Sequence, residues 1–302
     1  MRKRTENLEL PIAQQEIMSE LDQDIEAQPA VSASSDTMLR VEHLKMYFPV
    51  TKGLLKRRVG DVKAVDDVSF QIKKGQTLGV VGESGSGKST VGNCIMRNYN
   101  ITDGSILFDD KDISHYTSAQ LKSLRTDLQM ITQDPFASLD PRMRVRDIIR
   151  EGPLIHRMGS KAEQQELVER MLILVGLNPQ FADRYPHEFS GGQRQRISIA
   201  RALALNPSMI VCDEIVSALD VSIQAQIVGL MMKLQEELGL TYFFIGHDLS
   251  VVRHLSNQVA VMYLGQFMEL TDSDELYRAP LHPYTQALLK SLPTVDATKD
   301  QR

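Results

Sequence analysis

The chain has 302 residues, of which 42% are hydrophobic and 24% charged, and its formal net charge is −5. This composition is ordinary for a globular protein, and no apolar run approaches the ~18 residues that would span a bilayer. Residues 1–36 hold three basic and eight acidic residues and carry the whole excess, so the neutral remainder has no electrostatic footprint for a nucleic-acid backbone.

The first 36 residues are polar and acidic, which predicts a mostly disordered tail. Its basic start resembles the beginning of a signal peptide, but acidic residues and Pro11 follow where an apolar segment is required, which argues against secretion. Ile17, Leu21 and Ile25 have helical spacing. A helix that short is marginal alone, so the tail contains at most one helix that docks on another surface.

The sequence after Met38 alternates strands with helices. Apolar runs and alternation predict strands at residues 39–44, 65–72, 76–81, 105–108, 128–132, 209–212, 241–245, 259–263 and 267–270. Helical spacing predicts helices at residues 88–97, 190–205, 223–238 and 249–255. Residues 209–212 are continuously apolar, as a parallel strand buried on both faces would be. This alternation predicts an α/β fold with a mostly parallel core.

Two further features of the chain bear on its organisation. Prolines punctuate the helical segments of residues 134–187, among them a helix at 164–175, which predicts a helical insertion. Cys94 and Cys212 fall in a predicted helix and a predicted strand, which is typical of small buried hydrophobic residues in a reducing compartment.

The stretch GESGSGKST, residues 82–90, lies between a predicted strand and a predicted helix. Gly82, Gly87, Lys88 and Ser89 fit the spacing G-x-x-x-x-G-K-[ST] of a phosphate-binding loop. Glycines let the backbone approach a ligand, and the N–H groups then converge on an anion at the start of a helix. Lys88 would add a charge for the β- and γ-phosphates, and Ser89 a hydroxyl for Mg²⁺. A simple tight turn is the alternative.

Polar residues follow three other predicted strands. Gln133 could reach Mg²⁺ or an attacking water, or could merely be solvated. Asp213 could hold Mg²⁺ through water and Glu214 could deprotonate the attacking water, although paired acids at a strand end could instead cap the next helix. His247 could bond a γ-phosphate and hold the water in line, or could be incidental.

A second anion site is predicted at the start of the helix that contains FSGGQRQR, residues 189–196. Ser190 suits a helix N-cap, and Gly191 and Gly192 expose the first-turn N–H groups. An ordinary glycine-rich cap is the alternative. Because one nucleotide rarely needs two such sites in one chain, this one would serve the nucleotide of a neighbouring subunit.

The order phosphate loop, TQDP, FSGGQ, MIVCDE, SALD and GHD resembles the ATP-binding-cassette (ABC) ATPases over residues 38–290. The resemblance implies a P-loop cassette with a RecA-like core, an antiparallel β subdomain and a helical subdomain at about residues 134–195, within a nucleotide-binding domain of residues 37–290 and before a tail of residues 291–302. It implies that ATP and Mg²⁺ are bound. The phosphates and the metal would be held by Gly82, Ser84, Gly85, Ser86, Gly87, Lys88, Ser89 and Thr90.

The same resemblance implies roles for residues outside the loop. Tyr47 would stack on adenine, although a strand aromatic in the core is the alternative. Gln133, Ser89 and Asp213 would surround the metal, while Glu214 and His247 would be catalytic together with Gln133. The partner's nucleotide would be contacted by Ser190, Gly191, Gly192, Gln193 and, in the segment of residues 217–220, Asp220.

Finer motifs, among them YFPV, DPFASLDPRM and HPYTQALL, resemble the F-type ATP-binding subunit of oligopeptide/dipeptide importers. This implies a peripheral protein on the cytoplasmic face of the membrane. Its partners would be a second ATPase subunit placed head to tail, two transmembrane permease subunits and an extracytoplasmic peptide-binding protein, with no nucleic acid. Oligopeptides, dipeptides and nickel complexes remain possible cargoes.

Some features depart from that pattern, and other function classes stay open. Ile215 follows Glu214 where a small residue or proline is usual, Thr132 stands where the branch usually has Phe, and the four-cysteine segment of some relatives is absent. The alternatives are a soluble cassette ATPase acting in DNA repair or translation and a subunit that binds nucleotide for structure only.

Overall fold

A computed structural model describes residues 36–52 and 57–290 of the chain. The predictions for the acidic tail, residues 1–36, and for the C-terminal tail, residues 291–302, lie outside the described residues, except for Asp36. None of the helices in the described ranges combines the length and the hydrophobicity that a membrane span requires.

The first sheet is antiparallel and consists of β1 (Thr37–Lys52), β2 (Arg57–Lys73), β4 (Asp103–Phe108) and β5 (Lys111–Asp112). These strands lie in the order β2-β1-β4-β5. Val41 of β1 lies between Phe70 of β2 and Ile106 of β4. The first two strands run well beyond the predicted residues 39–44 and 65–72. The prediction fell short because the paired outer ends of these strands are largely exposed and lack the apolar alternation that reveals a strand.

The second sheet carries the parallel core and consists of β3 (Thr77–Val81), β6 (Leu128–Ile131), β7 (Met209–Asp213), β8 (Thr241–Ile245), β9 (Gln258–Tyr263) and β10 (Gln266–Asp272). These strands lie in the order β10-β9-β3-β8-β7-β6. All of them except β10 pair in parallel, and β10 closes the sheet antiparallel to β9. The carboxyl ends of β3, β8, β7 and β6 therefore lie in a row at one edge.

The helices follow the predicted alternation. They are α1 (Lys88–Ile95), α2 (Ser118–Asp127), α3 (Pro135–Ser138), α4 (Val145–Ile155), α5 (Lys161–Leu174), α6 (Gly191–Leu203), α7 (Val221–Leu238), α8 (Leu249–Leu255), α9 (Ser273–Arg278) and α10 (Pro283–Lys290). Helix α1 ends two residues before the predicted end at Arg97, and α2, α9 and α10 were not predicted. Helix α2 has only Leu124 buried, so it has little apolar pattern to detect.

The parallel sheet separates two hydrophobic clusters. On one face, Phe243 packs in the cluster beneath the antiparallel sheet and α1. On the other face, Phe244 packs in the cluster with the helices of residues 135–203 and with α7. Because both faces are covered, neighbouring side chains of β8 are all buried, and the strand is apolar from Tyr242 to Ile245.

Candidate active site

The loop between β3 and α1 has the backbone that its glycines permit. Gly82, Gly85 and Gly87 have φ values of 150°, 81° and 110°. A Cβ atom on Gly82 would lie 2.1 Å from the carbonyl oxygen of Met262, and one on Gly87 would lie 2.2 Å from that of Ala64. Gly87 is the N-cap of α1 and provides no side-chain cap. The first-turn N–H groups of α1 therefore have no side chain competing for them at the cap.

Lys88 is buried in this loop, and its ammonium is bound by the loop backbone. Its Nζ donates to the carbonyl oxygens of Gly82 and Glu83, both at 2.8 Å. Burial lowers the pKa of Lys88, while the carboxylates of Glu214 and Asp213 act in the opposite direction. The charge is thus fixed inside the loop, within reach of any anion that the loop binds.

Ser89 and Asp213 lie side by side although they are far apart in sequence. The Ser89 hydroxyl donates to Oδ1 of Asp213 at 2.9 Å. Burial raises the pKa of Asp213, and the hydrogen bond from Ser89 partly offsets that effect. A hydroxyl and a carboxylate are the hard oxygen donors that Mg²⁺ takes, so the residues at this position fit the metal.

The three predicted catalytic residues converge at the ends of neighbouring parallel strands. The side-chain amide of Gln133, after β6, donates to Oε2 of Glu214, after β7, at 2.7 Å. His247, after β8, has its Nδ1 4.0 Å from the same oxygen. Glu214 has a left-handed backbone, with φ 49°, and its N–H donates to the carbonyl of Ile245 at 3.0 Å. This backbone conformation places the carboxylate of Glu214 between Gln133 and His247.

The structure removes one alternative for the paired acids. Helix α7 has Asp220 as its N-cap, so neither Asp213 nor Glu214 caps it. The unusual Ile215 is only 2% exposed and belongs to a hydrophobic cluster. Its side chain therefore anchors the turn that carries Glu214, which accounts for an apolar residue at this position.

A cavity of about 410 Å³ lies against the loop between β3 and α1. Besides the loop, it is bordered by Gln133 and Glu214 and by parts of β2 and the β9–β10 turn. The lining residues are Val62, Lys63, Ala64, Ser84, Gly85, Gly87, Lys88, Ser89, Thr90, Gln133, Glu214, Leu264 and Gly265. Five of these residues were not predicted, because they lie on β2 and the β9–β10 turn, outside any motif: Val62, Lys63, Ala64, Leu264 and Gly265.

The second predicted anion site is a capped helix start away from this cavity. Ser190 is the N-cap of α6, as predicted, and its hydroxyl accepts from the N–H of Gln193 at 3.4 Å. Gln193 reciprocates, because its Oε1 accepts from the N–H of Ser190 at 3.0 Å. Of the described residues that line the loop cavity, none belongs to residues 190–193 or is Asp220.

The start of α6 packs against the segment of residues 217–220 and the start of α7. A Cβ atom on Gly191 would lie 3.4 Å from Leu219, and one on Gly192 would lie 2.5 Å from Cγ2 of Ile223. Gly192 is therefore needed for the close approach of the two helices. This packing also brings Asp220 into the neighbourhood of residues 190–193.

Tyr47 lies on β1 beside the cavity without lining it. Its hydroxyl donates to Oδ1 of Asp66, and the Nζ of Lys63 lies 5.2 Å from the centre of its ring. Lys63 is its partner across the strands and does line the cavity. The stacking role of Tyr47 stays a prediction, as do the individual roles of the other site residues.

Comparison with known proteins identifies two family models in this chain. The ABC transporter model matches residues 65–217, and the model of the oligopeptide/dipeptide transporter C-terminal region matches residues 268–302. Among curated proteins, the oligopeptide transport ATP-binding protein AppF of Bacillus subtilis is 61% identical over 263 residues, covering 87% of this chain and 80% of AppF. The OppF protein of the same organism is 53% identical, covering 87% of this chain and 84% of OppF.

Solved structures agree with the predicted fold. The cbiO1 protein of Clostridium perfringens, part of the ABC transporter complex cbiONQ, has a TM-score of 0.71 and 26% identity over 80% of this chain and 91% of its own. The cassette MJ0796, solved as a dimer in a post-hydrolysis state with ADP and Pi, has a TM-score of 0.69 and 28% identity over 78% and 99%. The prediction of an α/β ATP-binding cassette is confirmed, and the chain belongs to the ABC transporter ATPases, in the branch with the oligopeptide/dipeptide C-terminal region.

Proposed function

We propose that this chain is the ATP-hydrolysing subunit of an importer of oligopeptides or dipeptides and that it works at the cytoplasmic face of the membrane. The observation that carries this proposal is the row of strand ends, where the loop with Lys88, the Ser89–Asp213 pair and the contact between Gln133 and Glu214 share one edge. The cargo is inferred from relatives named for oligopeptide transport. The same relatives favour this function over a soluble ATPase of DNA repair or translation.

The loop would hold the phosphates of ATP, and Ser89 and Asp213, with Gln133 nearby, would hold Mg²⁺. Bound by these residues, the metal would supply positive charge that offsets the negative charge developing on the phosphates. Lys88 contributes a further positive charge, which its burial makes more effective. Tyr47 would stack on the adenine from the β1 side of the cavity.

Glu214 would act as the general base. Its carboxylate is only 20% exposed and accepts a hydrogen bond from Gln133. That bond fixes one oxygen and leaves the other to accept the proton of an attacking water. His247, 4.0 Å away and 55% exposed, is free to turn toward a γ-phosphate.

A second cassette subunit would complete the site in head-to-tail fashion. Residues 190–193 and Asp220 stand together outside the cavity of their own chain, which is the arrangement expected if they meet the nucleotide of a partner. The MJ0796 cassette was solved as a dimer, which supports the same assembly. Each closed pair would then enclose nucleotide between the loop of one subunit and the α6 start of the other.

The helical region of about residues 134–195 would transmit closure to two permease subunits, while an extracytoplasmic peptide-binding protein delivers the cargo. Support comes from the contacts between α3, directly after Gln133, and α6. The hydroxyls of Ser138 and Ser198 lie 3.2 Å apart, and the Nη1 of Arg201 donates to the carbonyl of Ser138. A shift at Gln133 would therefore move α6 as well.

Replacing Glu214 with Gln tests the proposal. The variant should bind Mg-ATP as the unmodified chain does, lose roughly 10²- to 10⁴-fold in turnover and accumulate as a closed pair. Glu236→Gln, on the exposed face of α7, is the matched control and should keep full turnover. Near-normal ATP hydrolysis by Glu214→Gln in the assembled transporter would refute Glu214 as the base.

A further inference from the structure

The C-terminal helix α10 reaches the phosphate loop through one side chain. The hydroxyl of Tyr284 accepts a hydrogen bond from the backbone N–H of Glu83 at 3.4 Å. The Tyr284 ring packs on the ring of Tyr263, at the end of β9, with the ring centres 4.5 Å apart. Tyr284 belongs to the HPYTQALL motif and lies outside the residues predicted for the nucleotide site.

Tyr284 is held in position by polar contacts around it. The carboxylate of Glu269 accepts from the N–H groups of Leu281 and His282 at 2.9 and 3.0 Å. The Nδ1 of His282 accepts from the N–H of Tyr284 at 3.1 Å. Burial opposes the ionisation of Glu269, but hydrogen bonding, chiefly from the N–H of Leu281, holds its pKa below the usual value. The start of α10 is therefore a fixed support.

The peptide group between Gly82 and Glu83 is bonded on both of its edges. Its carbonyl oxygen, on Gly82, accepts from the ammonium of Lys88 at 2.8 Å. Its N–H, on Glu83, donates to Tyr284. A rotation of this peptide would change both contacts together. Gly82 has little room for other rearrangements, because its α-carbon lies against the backbone of Met262.

We propose that Tyr284 is a positioning residue for nucleotide binding, which holds the Gly82–Glu83 peptide in the orientation that keeps Lys88 in the loop. The C-terminal segment of this branch thereby supports the phosphate site of the same chain. The inference rests on the proposed function, since ATP is the ligand that the loop would bind. Tyr284 acts through the loop backbone and through Lys88.

Removal of a single hydroxyl tests this proposal. Tyr284→Phe keeps the ring contact with Tyr263 and deletes only the bond to Glu83. The matched control is Tyr277→Phe on α9, where the hydroxyl donates to the carbonyl of Leu249 instead. The full-length chain is used, and the measurements are the Kd for Mg-ATP, the KM and kcat of ATP hydrolysis, and the urea unfolding midpoint.

We expect Tyr284→Phe to raise the Kd and the KM about threefold and to leave kcat within twofold, since a long, neutral hydrogen bond is worth little. Tyr277→Phe should lower the unfolding midpoint and leave the Kd unchanged. Glu269→Gln should weaken binding in the same direction as Tyr284→Phe. Combined with Tyr284→Phe, it should add nothing further, because both act through one contact.

The outcomes separate this inference from the proposed function. If the unmodified chain fails to bind Mg-ATP, the proposed function is wrong. If that chain binds Mg-ATP and Tyr284→Phe binds it equally well, the positioning role is overturned. The same conclusion follows if Tyr277→Phe raises the Kd as much as Tyr284→Phe does.

Discussion

Gly192 allows α6 and α7 to approach each other closely, because it has no side chain at their contact. A methyl group at this position would lie 2.5 Å from Cγ2 of Ile223, roughly 1 Å closer than the ~3.5 Å at which carbon atoms attract each other. The contacted methyl sits on the branched Cβ of Ile223 and has no flexible stem by which to move away. The helices must therefore separate, and we expect Gly192→Ala to lower the free energy of unfolding by about 1–3 kcal/mol.

Urea unfolding of four variants tests this reasoning. Gly229→Ala, on the exposed face of α7 where a Cβ atom meets nothing within 4 Å, should instead raise the free energy of unfolding by about 0.5–1 kcal/mol. Ile223→Ala removes the obstructing methyl, so Gly192→Ala should cost little in that background. If Gly192→Ala matches the unmodified chain in stability, or costs the same with and without Ile223, the steric argument is refuted.

Two further predictions concern buried titratable groups. Burial raises the pKa of Asp213, so the folded state binds a proton on this carboxyl group more tightly than the unfolded state does. The free energy of unfolding therefore falls as the pH rises from the ordinary aspartate range through the raised pKa. Asp213→Asn does not bury an ionised carboxylate, so its urea unfolding midpoint at pH 8 without Mg²⁺ should be higher than that of the unmodified chain. The variant should also lose Mg²⁺-dependent ATP turnover. An unchanged or lower midpoint would contradict the burial argument. Burial also raises the pKa of the Cys94 thiol to about 12 and raises that of Cys212 as well, so a thiol reagent at pH 8 should label neither cysteine in the native chain and both in urea. Rapid labelling of the folded chain would show that these helix and strand positions open to solvent.

The parallel core was predictable because burial on both faces produces a distinctive sequence. Residues 209–212 are an uninterrupted apolar run, and β8 is apolar after Thr241. The polar residues that follow these two runs, Asp213 and His247, mark the edge where the site forms. The convergence of Gln133, Glu214 and His247 followed from that topology. Ser190 was predicted as an N-cap from its residue type and the glycines after it, and the structure confirms this.

Other features could not be predicted because no local pattern encodes them. The outer halves of β1 and β2 are exposed and pair with each other, so their sequences resemble a loop. The reciprocal bond of Gln193 to Ser190 was overlooked, although the spacing of a capping box could have revealed it. The contact between Glu83 and Tyr284 joins residues 201 positions apart through a backbone N–H, which only the folded chain discloses.

The structure of the assembled ATPase pair with Mg-ATP, with Glu214→Gln to prevent turnover, tests the central claim most directly. The decisive quantity is the distance from Oγ of Ser190 to the terminal phosphate bound at the loop of the opposite subunit. The shared-site account predicts hydrogen-bonding distance, with the N–H of Gly192 directed at the same phosphate. A pair in which Ser190 and Gly192 lie far from every nucleotide would contradict it.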